Sequence, residues 1–221
     1  MARIQQQLLR DDAFLLDHRN CDPADLARRA GVVASSERAG GEAALVTSGR
    51  TRAVAGPPQV PVGAEGNQWQ NVLAELATGE SRPLYTVAPP DRAHAGLHRW
   101  MSDPAAGLPA WLELTWDEPV AVREVQLIFD TGLHRFLTLS QADGYTRRME
   151  WGHAQPETVR DYVIAAETSR GWTTLASVAG NYQRRRVHAV PVAVRTRRLR
   201  ITVTATNGLD HARLVEVRVY A

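Results

Sequence analysis

The chain has 221 residues, 44% of them apolar, with 26 basic and 24 acidic side chains and a net charge of +2. This length and apolar content allow one well-buried core and exclude an intrinsically disordered chain. No apolar run approaches the roughly 20 residues that cross a membrane. The basic and acidic residues are nearly matched along the chain, which argues against a nucleic-acid partner. We therefore expect a folded protein whose partners are neither membranes nor nucleic acids.

The N-terminal sequence and the cysteine content indicate in which cellular compartment the protein is expected. The first twelve residues contain no uninterrupted apolar segment and no small-residue cleavage site, which argues against secretion. Cys21 is the single cysteine, so no intramolecular disulfide can form. Both features predict a cytoplasmic protein.

The first 31 residues are predicted to form a helical extension or docking segment. Asp22 before Pro23 is typical of a helix N-cap, and Gly31 is a suitable end to that helix. Residues 34–68 are rich in Ala, Gly, Ser and Pro and predict a loop with one short strand at 44–47. The apolar residues of the first helical stretch are Leu8, Leu9, Phe14 and Leu15.

From residue 111 onward the sequence alternates between apolar and polar residues with a period of two. This pattern predicts strands, and the segment 117–119, Asp-Glu-Pro, predicts a turn that ends the first of them. Closely spaced strands without helix-length segments between them favour an antiparallel β-sandwich over parallel βαβ units. The predicted strands are 111–116, 123–129, 161–166, 172–178, 186–190, 198–205 and 212–220.

An arginine-rich segment at 195–200 lies within this region. Leu199, Ile201 and Val203 alternate with Arg200 and Thr202, so the arginines are predicted to form the solvated face of a strand. A nucleic-acid-binding stripe is the less favoured interpretation.

Several segments in order resemble the discoidin, or F5/8 type C, modules. The resemblance covers residues 32–221 and implies a galactose-binding-like antiparallel β-sandwich, or jelly roll, as the second domain after the 1–31 extension. It rests on the segments 34–36, 71–73, 100–103, 108–114, 122–130 and 212–220.

A narrower resemblance is to the C-terminal module of bacterial FAD-dependent oxidoreductases. It rests on residues 155–162 and 180–188, with 6–9 and 22–28 similar to the helical tail that joins such modules to the flavoprotein. No Gly-x-Gly-x-x-Gly follows a strand, so the chain has no site for the flavin pyrophosphate. The resemblance implies that the chain binds no cofactor itself, and that its N-terminal helices dock a flavoprotein chain or form a homodimer.

The discoidin resemblance also implies a structural calcium ion, with Glu216 in the last strand as one ligand. Calcium takes six to eight oxygen ligands. The residues that follow 71–73 are Ala74 and Glu75, so the first long loop departs from the expected ligand pattern. A buried or ion-paired structural glutamate is the competing interpretation of Glu216.

Sugar-binding modules place an exposed aromatic ring against a pyranose and surround it with polar side chains. The segments 92–102 and 131–155 have this mixture and are predicted to form the binding surface, although packing beneath loops explains their aromatic residues equally well. The candidate ligand-binding residues are Arg99, Trp100, His134, Arg135, Tyr145, Trp151 and His153.

Three functions remain open from the sequence. The first is a non-catalytic accessory module of a flavin-dependent oxidoreductase, and the second is an independent carbohydrate-binding module. The third is a cofactor-free biosynthetic enzyme in which Asp130, His134 or His153 acts as acid or base. No catalytic motif accompanies these residues, so the first is the primary hypothesis.

Overall fold

A computed structural model describes residues 22–49, 98–132 and 154–221. These residues form seven strands: β1 (Gly31–Ala34), β2 (Trp100–Met101), β3 (Ala110–Phe129), β4 (Val159–Thr168), β5 (Gly171–Val178), β6 (Arg185–Thr206) and β7 (Arg213–Tyr220). Two short 3₁₀ helices, Leu26–Arg29 and Ala43–Thr47, precede β2. In this part of the chain no helix is long and apolar enough to cross a membrane.

The two longest strands, β3 and β6, belong to both layers of a sandwich. Residues 110–115 of β3 pair with β1 and with residues 198–203 of β6, whereas residues 124–129 pair with β7 and with the start of β6. Register shifts between Thr115 and Val120 and between Val122 and Glu124 mark the change of partners. One layer is thus β1-β3-β6-β4-β5 and the other is β2-β7-β3-β6, with every pairing antiparallel.

Alternate residues of both layers point into one core. In the first layer the buried residues include Leu112, Leu114, Tyr162, Ile164, Leu199 and Ile201, and in the second they include Val125, Leu127, Phe129, Val217 and Val219. In the first layer the buried residues of β4 and β6 follow the period-two pattern, whereas in the second layer consecutive residues are buried at 125–129 and at 213–217. The predicted mainly β, antiparallel sandwich is confirmed.

The strand boundaries differ from those predicted at three places. The segment 117–119 does not end a strand, because β3 continues through it with an irregular register and bends into the other layer. β6 likewise continues through residues 191–197, so the predicted strands 186–190 and 198–205 are both parts of this one strand. The predicted strand at 44–47 is instead the second 3₁₀ helix.

The helical extension predicted for residues 1–31 is not shown as such. Residues 1–21 lie outside the described part, and residues 22–30 contain one four-residue 3₁₀ helix whose N-cap is Asp25 rather than Asp22. Leu26 and Ala27 are buried in the sandwich core, and Trp116 Nε1 donates to the Leu26 carbonyl at 2.9 Å. This segment therefore packs as part of the sandwich.

Asp25 joins the 3₁₀ helix to strand β7. Its Oδ1 accepts hydrogen bonds from the backbone N–H of Ala27 and of Val219, each at 3.0 Å. It thereby caps the helix and satisfies a backbone donor of β7. Burial raises the pKa of Asp25, and the two backbone hydrogen bonds oppose this increase.

Replacing Asp25 tests this attachment. We expect Asp25→Ala to lower the free energy of unfolding by about 2 kcal/mol, because two backbone donors lose their acceptor. Asp25→Asn retains an acceptor oxygen and is expected to lose less than half of that amount. Urea denaturation followed by tryptophan fluorescence measures both. Asp22→Ala, at an exposed position, is the control, and equal losses from Asp25→Ala and Asp22→Ala would contradict the assignment.

Candidate functional site

Five described segments converge at one end of the sandwich, which we call the loop end: residues 98–103, 129–132, 154–158, 180–184 and 206–213. Backbone hydrogen bonds join them, from Phe129 N to Arg184 O at 2.7 Å, from Asn207 N to Thr158 O at 3.0 Å and from Ser102 N to Ala212 O at 3.0 Å. The bent strands bring these segments together, because both ends of β3 and β6 fold back toward the same end of the two layers.

A buried ionic network centred on Asp130 holds the loop end together. Asp130 Oδ2 lies 3.1 Å from Arg99 Nε and 3.5 Å from Arg213 Nη1, and its Oδ1 accepts from Gly132 N at 2.9 Å. Arg213 Nε donates to His211 Nε2 at 2.9 Å, so the Nδ1 of a neutral His211 carries the proton that faces Asp210 at 2.9 Å. Because Arg99, Asp130 and Arg213 are buried and charged, removing any one of them is costly.

This burial changes the role assigned to two predicted ligand-binding residues. Arg99 and Trp100 are 1% and 0% exposed, so neither can stack on a ligand at the surface. Arg99 pairs with Asp130, and Trp100 Nε1 donates to the Ser36 carbonyl at 3.0 Å. Asp130, a candidate acid or base, has its carboxylate engaged by two guanidinium groups. All three residues are buried beneath the surface of the loop end and support it.

The segments around Asn181 and Asn207 are fixed by side-chain to backbone hydrogen bonds. Asn181 Nδ2 donates to Val159 O at 2.7 Å, and Asn207 Nδ2 donates to Thr158 O and Asn181 O at 2.9 and 3.0 Å. A Cβ at Gly208 would lie 2.7 Å from Pro156 Cβ, so glycine permits this close approach. The β5–β6 and β6–β7 connections are therefore rigidly held.

Tyr182 stands on this rigid support and is 66% exposed. Its neighbours in sequence are held in place: Asn181 is buried, and Arg184 Nη1 donates to Phe129 O at 3.4 Å and Thr131 Oγ1 at 3.3 Å. An exposed aromatic ring on a fixed backbone is the element that a sugar-stacking site requires. Tyr182 is not among the ligand-binding residues predicted from the sequence, although a tyrosine directly after Gly180 and Asn181 in a short connection between two strands is a usable signal.

The remaining predicted ligand-binding residues, His134, Arg135, Tyr145, Trp151 and His153, lie outside the described residues. Both ends of the segment that carries them are attached at the loop end. Thr131 contacts Arg184, and Gln155 O accepts from Thr158 N at 2.9 Å. Their contribution to a binding surface remains a prediction.

Glu216, the predicted calcium ligand, is buried and paired with Arg218, whose Nη2 donates to Glu216 Oε2 at 3.0 Å. Burial raises the pKa of Glu216, and the hydrogen bond from Arg218 opposes this increase. The described residues contain no group of three or more His, Cys, Asp or Glu side chains that could hold a metal ion. Residues 74–75 lie outside the described part of the chain, so a calcium ion held partly by Glu216 remains a prediction.

The fold is similar to that of solved carbohydrate-binding modules. A family 32 module of C. perfringens NanJ, solved with galactose, superposes with a TM-score of 0.51 at 13% identity, over 88% of this chain and 96% of that one. A second Clostridium perfringens family 32 module, solved with GalNAc-β-1,3-galactose, gives 0.50 at 10% identity over 89% and 99%.

A mutant form of chitosan-binding module 1, from a Paenibacillus sp. IK-5 chitosanase/glucanase, gives 0.50 at 16% identity over 92% of this chain and 100% of that one. No protein-family model matches the sequence, and no curated protein is significantly similar to it. At these identities the likeness shows the fold, which is the galactose-binding-like, discoidin-type sandwich that the sequence resembles.

The burial of Glu216 predicts a pH-dependent contribution to stability. Because the folded-state pKa is raised, the contribution is fully present below the ordinary value of 4.5 and is lost as the pH rises through the raised pKa. Glu216→Gln cannot ionise, so its free energy of unfolding should fall less between pH 4.5 and neutral pH than that of the parent. Urea denaturation across this range measures the difference, and parallel pH profiles would contradict the prediction.

Proposed function

We propose that this protein is a non-catalytic carbohydrate-binding module that holds a sugar at the loop end, with Tyr182 as the stacking residue. The observation that carries the proposal is the two-thirds exposure of the Tyr182 ring on a backbone fixed by Asn181. The apolar face of a pyranose packs against such a ring, and the rigid support reduces the ordering cost of binding.

The loop end also supplies polar groups close to this ring in the chain. Gln183 and Arg184 follow Tyr182 directly, and Arg184 spans to Thr131 at the start of the segment that carries His134 and Arg135. Sugar hydroxyls donate and accept hydrogen bonds, so amide and guanidinium groups next to an aromatic residue in the chain suit them. The buried Asp130 network would keep these groups in place when the ligand binds.

The structures with this fold indicate which sugars to test. The neighbours are described as complexes with galactose and with GalNAc-β-1,3-galactose, and as a chitosan-binding module. An independent carbohydrate-binding role accounts for the fold and for the exposed ring. Docking to a flavin-dependent oxidoreductase and catalysis of a cofactor-free step have no support in the described residues or in these neighbours, so we do not favour either.

Isothermal titration with galactose, GalNAc-β-1,3-galactose and chitosan oligosaccharides tests the proposal. We expect saturable binding of at least one of them. Tyr182→Ala should raise its dissociation constant about tenfold or more, because the ring is proposed to carry a large share of the contact energy. Tyr182→Phe keeps the ring and should stay within about threefold of the parent.

The matched control is Val192→Ala, which removes another exposed apolar side chain from the bent part of β6. It should bind like the parent. Absence of binding to every sugar in the panel would overturn the proposed function. Binding that Tyr182→Ala leaves unchanged would remove the loop end as its site.

A further inference from the structure

The outer face of the first layer carries a cluster of aromatic, basic and acidic side chains. The pairings place Glu113 of β3 opposite Arg200 of β6, Arg200 opposite Ala165 of β4 and Ala165 opposite Thr174 of β5. One row further along this face, Glu167 lies opposite Trp172. We call the residues Trp111, Glu113, Glu167, Trp172, Arg198 and Arg200 the sheet-face cluster.

Glu113 fixes both guanidinium groups of the cluster. It is 3% exposed, and its Oε1 accepts from Arg198 Nε at 2.7 Å while its Oε2 accepts from Arg200 Nε at 2.9 Å and Nη2 at 2.7 Å. Arg198 Nη1 also donates to Glu167 Oε1 at 3.1 Å. Charge-assisted hydrogen bonds of this kind hold planar groups in a defined orientation.

Two indole rings contact the guanidinium group of Arg200, one from a strand on each side of β6. Arg200 Cζ lies 4.7 Å from the Trp111 ring centroid and 4.4 Å from that of Trp172, although β3 and β5 are separated by two strands. Arg198 Cζ lies 5.4 Å from the Trp172 centroid. The two rings and the two guanidinium groups are thus connected by direct contacts across the strands, and we call this set of contacts the platform.

Part of the platform is exposed to solvent and has unpaired polar atoms. Trp172 is 39% exposed, which is unusual for a tryptophan whose role is packing alone. Among the described residues, Arg200 Nη1 and Glu167 Oε2 have no hydrogen-bond partner, and both side chains are partly exposed. The exposed part of Trp172, beside one free donor group and one free acceptor, suits a sugar ring and its hydroxyl groups.

The charges of the cluster select the class of ligand. Arg198 and Arg200 are balanced by Glu113 and Glu167, so the platform offers no net charge. A polyanion would have to displace the bonds to buried Glu113, and a polycation would meet two guanidinium groups. A neutral chain of sugars faces neither cost.

We propose that the sheet-face cluster is a second sugar-binding surface, which takes a neutral polysaccharide chain across Trp172 and Arg200. This inference rests on the proposed function, and it adds a site separate from the loop end. Trp172 lies near the start of β5 and Tyr182 follows its end, so the two rings are separated by a strand length of about 20 Å. One long chain, but no monosaccharide, could use both surfaces.

Affinity electrophoresis in gels that contain soluble galactan tests the second surface, with polygalacturonate as the anionic comparison polymer. We expect the parent to be retarded more by galactan than by polygalacturonate. Trp172→Ala should raise the galactan dissociation constant about tenfold and leave the galactose titration at the loop end unchanged. Trp172→Phe should retain most of the affinity.

A second variant keeps the test independent of any loss of packing. Thr174→Arg places a bulky charge in the row of Arg200 at an exposed position, and it should also weaken galactan binding. Thermal unfolding confirms that each variant folds. Galactan retardation unchanged by both Trp172→Ala and Thr174→Arg would overturn this inference alone, whereas a parent that binds no sugar would overturn the proposed function with it.

Discussion

The architecture depends on two strands that each serve both layers. β3 and β6 pair with each other over most of their length, change partners at irregular register positions and fold back, so that one pair of strands connects the two sheets. The sharing of β3 and β6 determines the positions of the loop end and of the sheet-face cluster. It brings the ends of the strands to one end of the sandwich, and it leaves one half of β3 and β6 to present an outward face between β1 and β4.

Buried carboxylates hold side chains in place at both the loop end and the sheet-face cluster. At the loop end Asp130 is surrounded by Arg99 and Arg213, and on the sheet face Glu113 accepts from Arg198 and Arg200. In each case a nearly buried carboxylate orients guanidinium groups that could otherwise adopt many rotamers. These long side chains lose conformational entropy when the protein folds. They therefore lose less when a ligand binds.

The alternating pattern was sufficient to predict the antiparallel sandwich and the inward-facing positions of Leu199, Ile201 and Val203. It could not predict that β3 passes through 117–119, because an irregular register preserves pairing where the local sequence favours a turn. Nor could it place Trp100 in the core, since a two-residue strand has no period. The pairing of Glu113 with Arg200 depends on register between distant segments, which a single sequence does not contain.

Sugar binding at the loop end is tested most directly by backbone amide NMR during titration, because the chemical shifts report both binding and its position in the chain. With galactose or GalNAc-β-1,3-galactose, we predict saturable shifts that are largest at residues 180–184 and at the adjoining segments 129–132 and 206–213. Absence of shifts with every sugar tested, or shifts confined to residues remote from these segments, would contradict it.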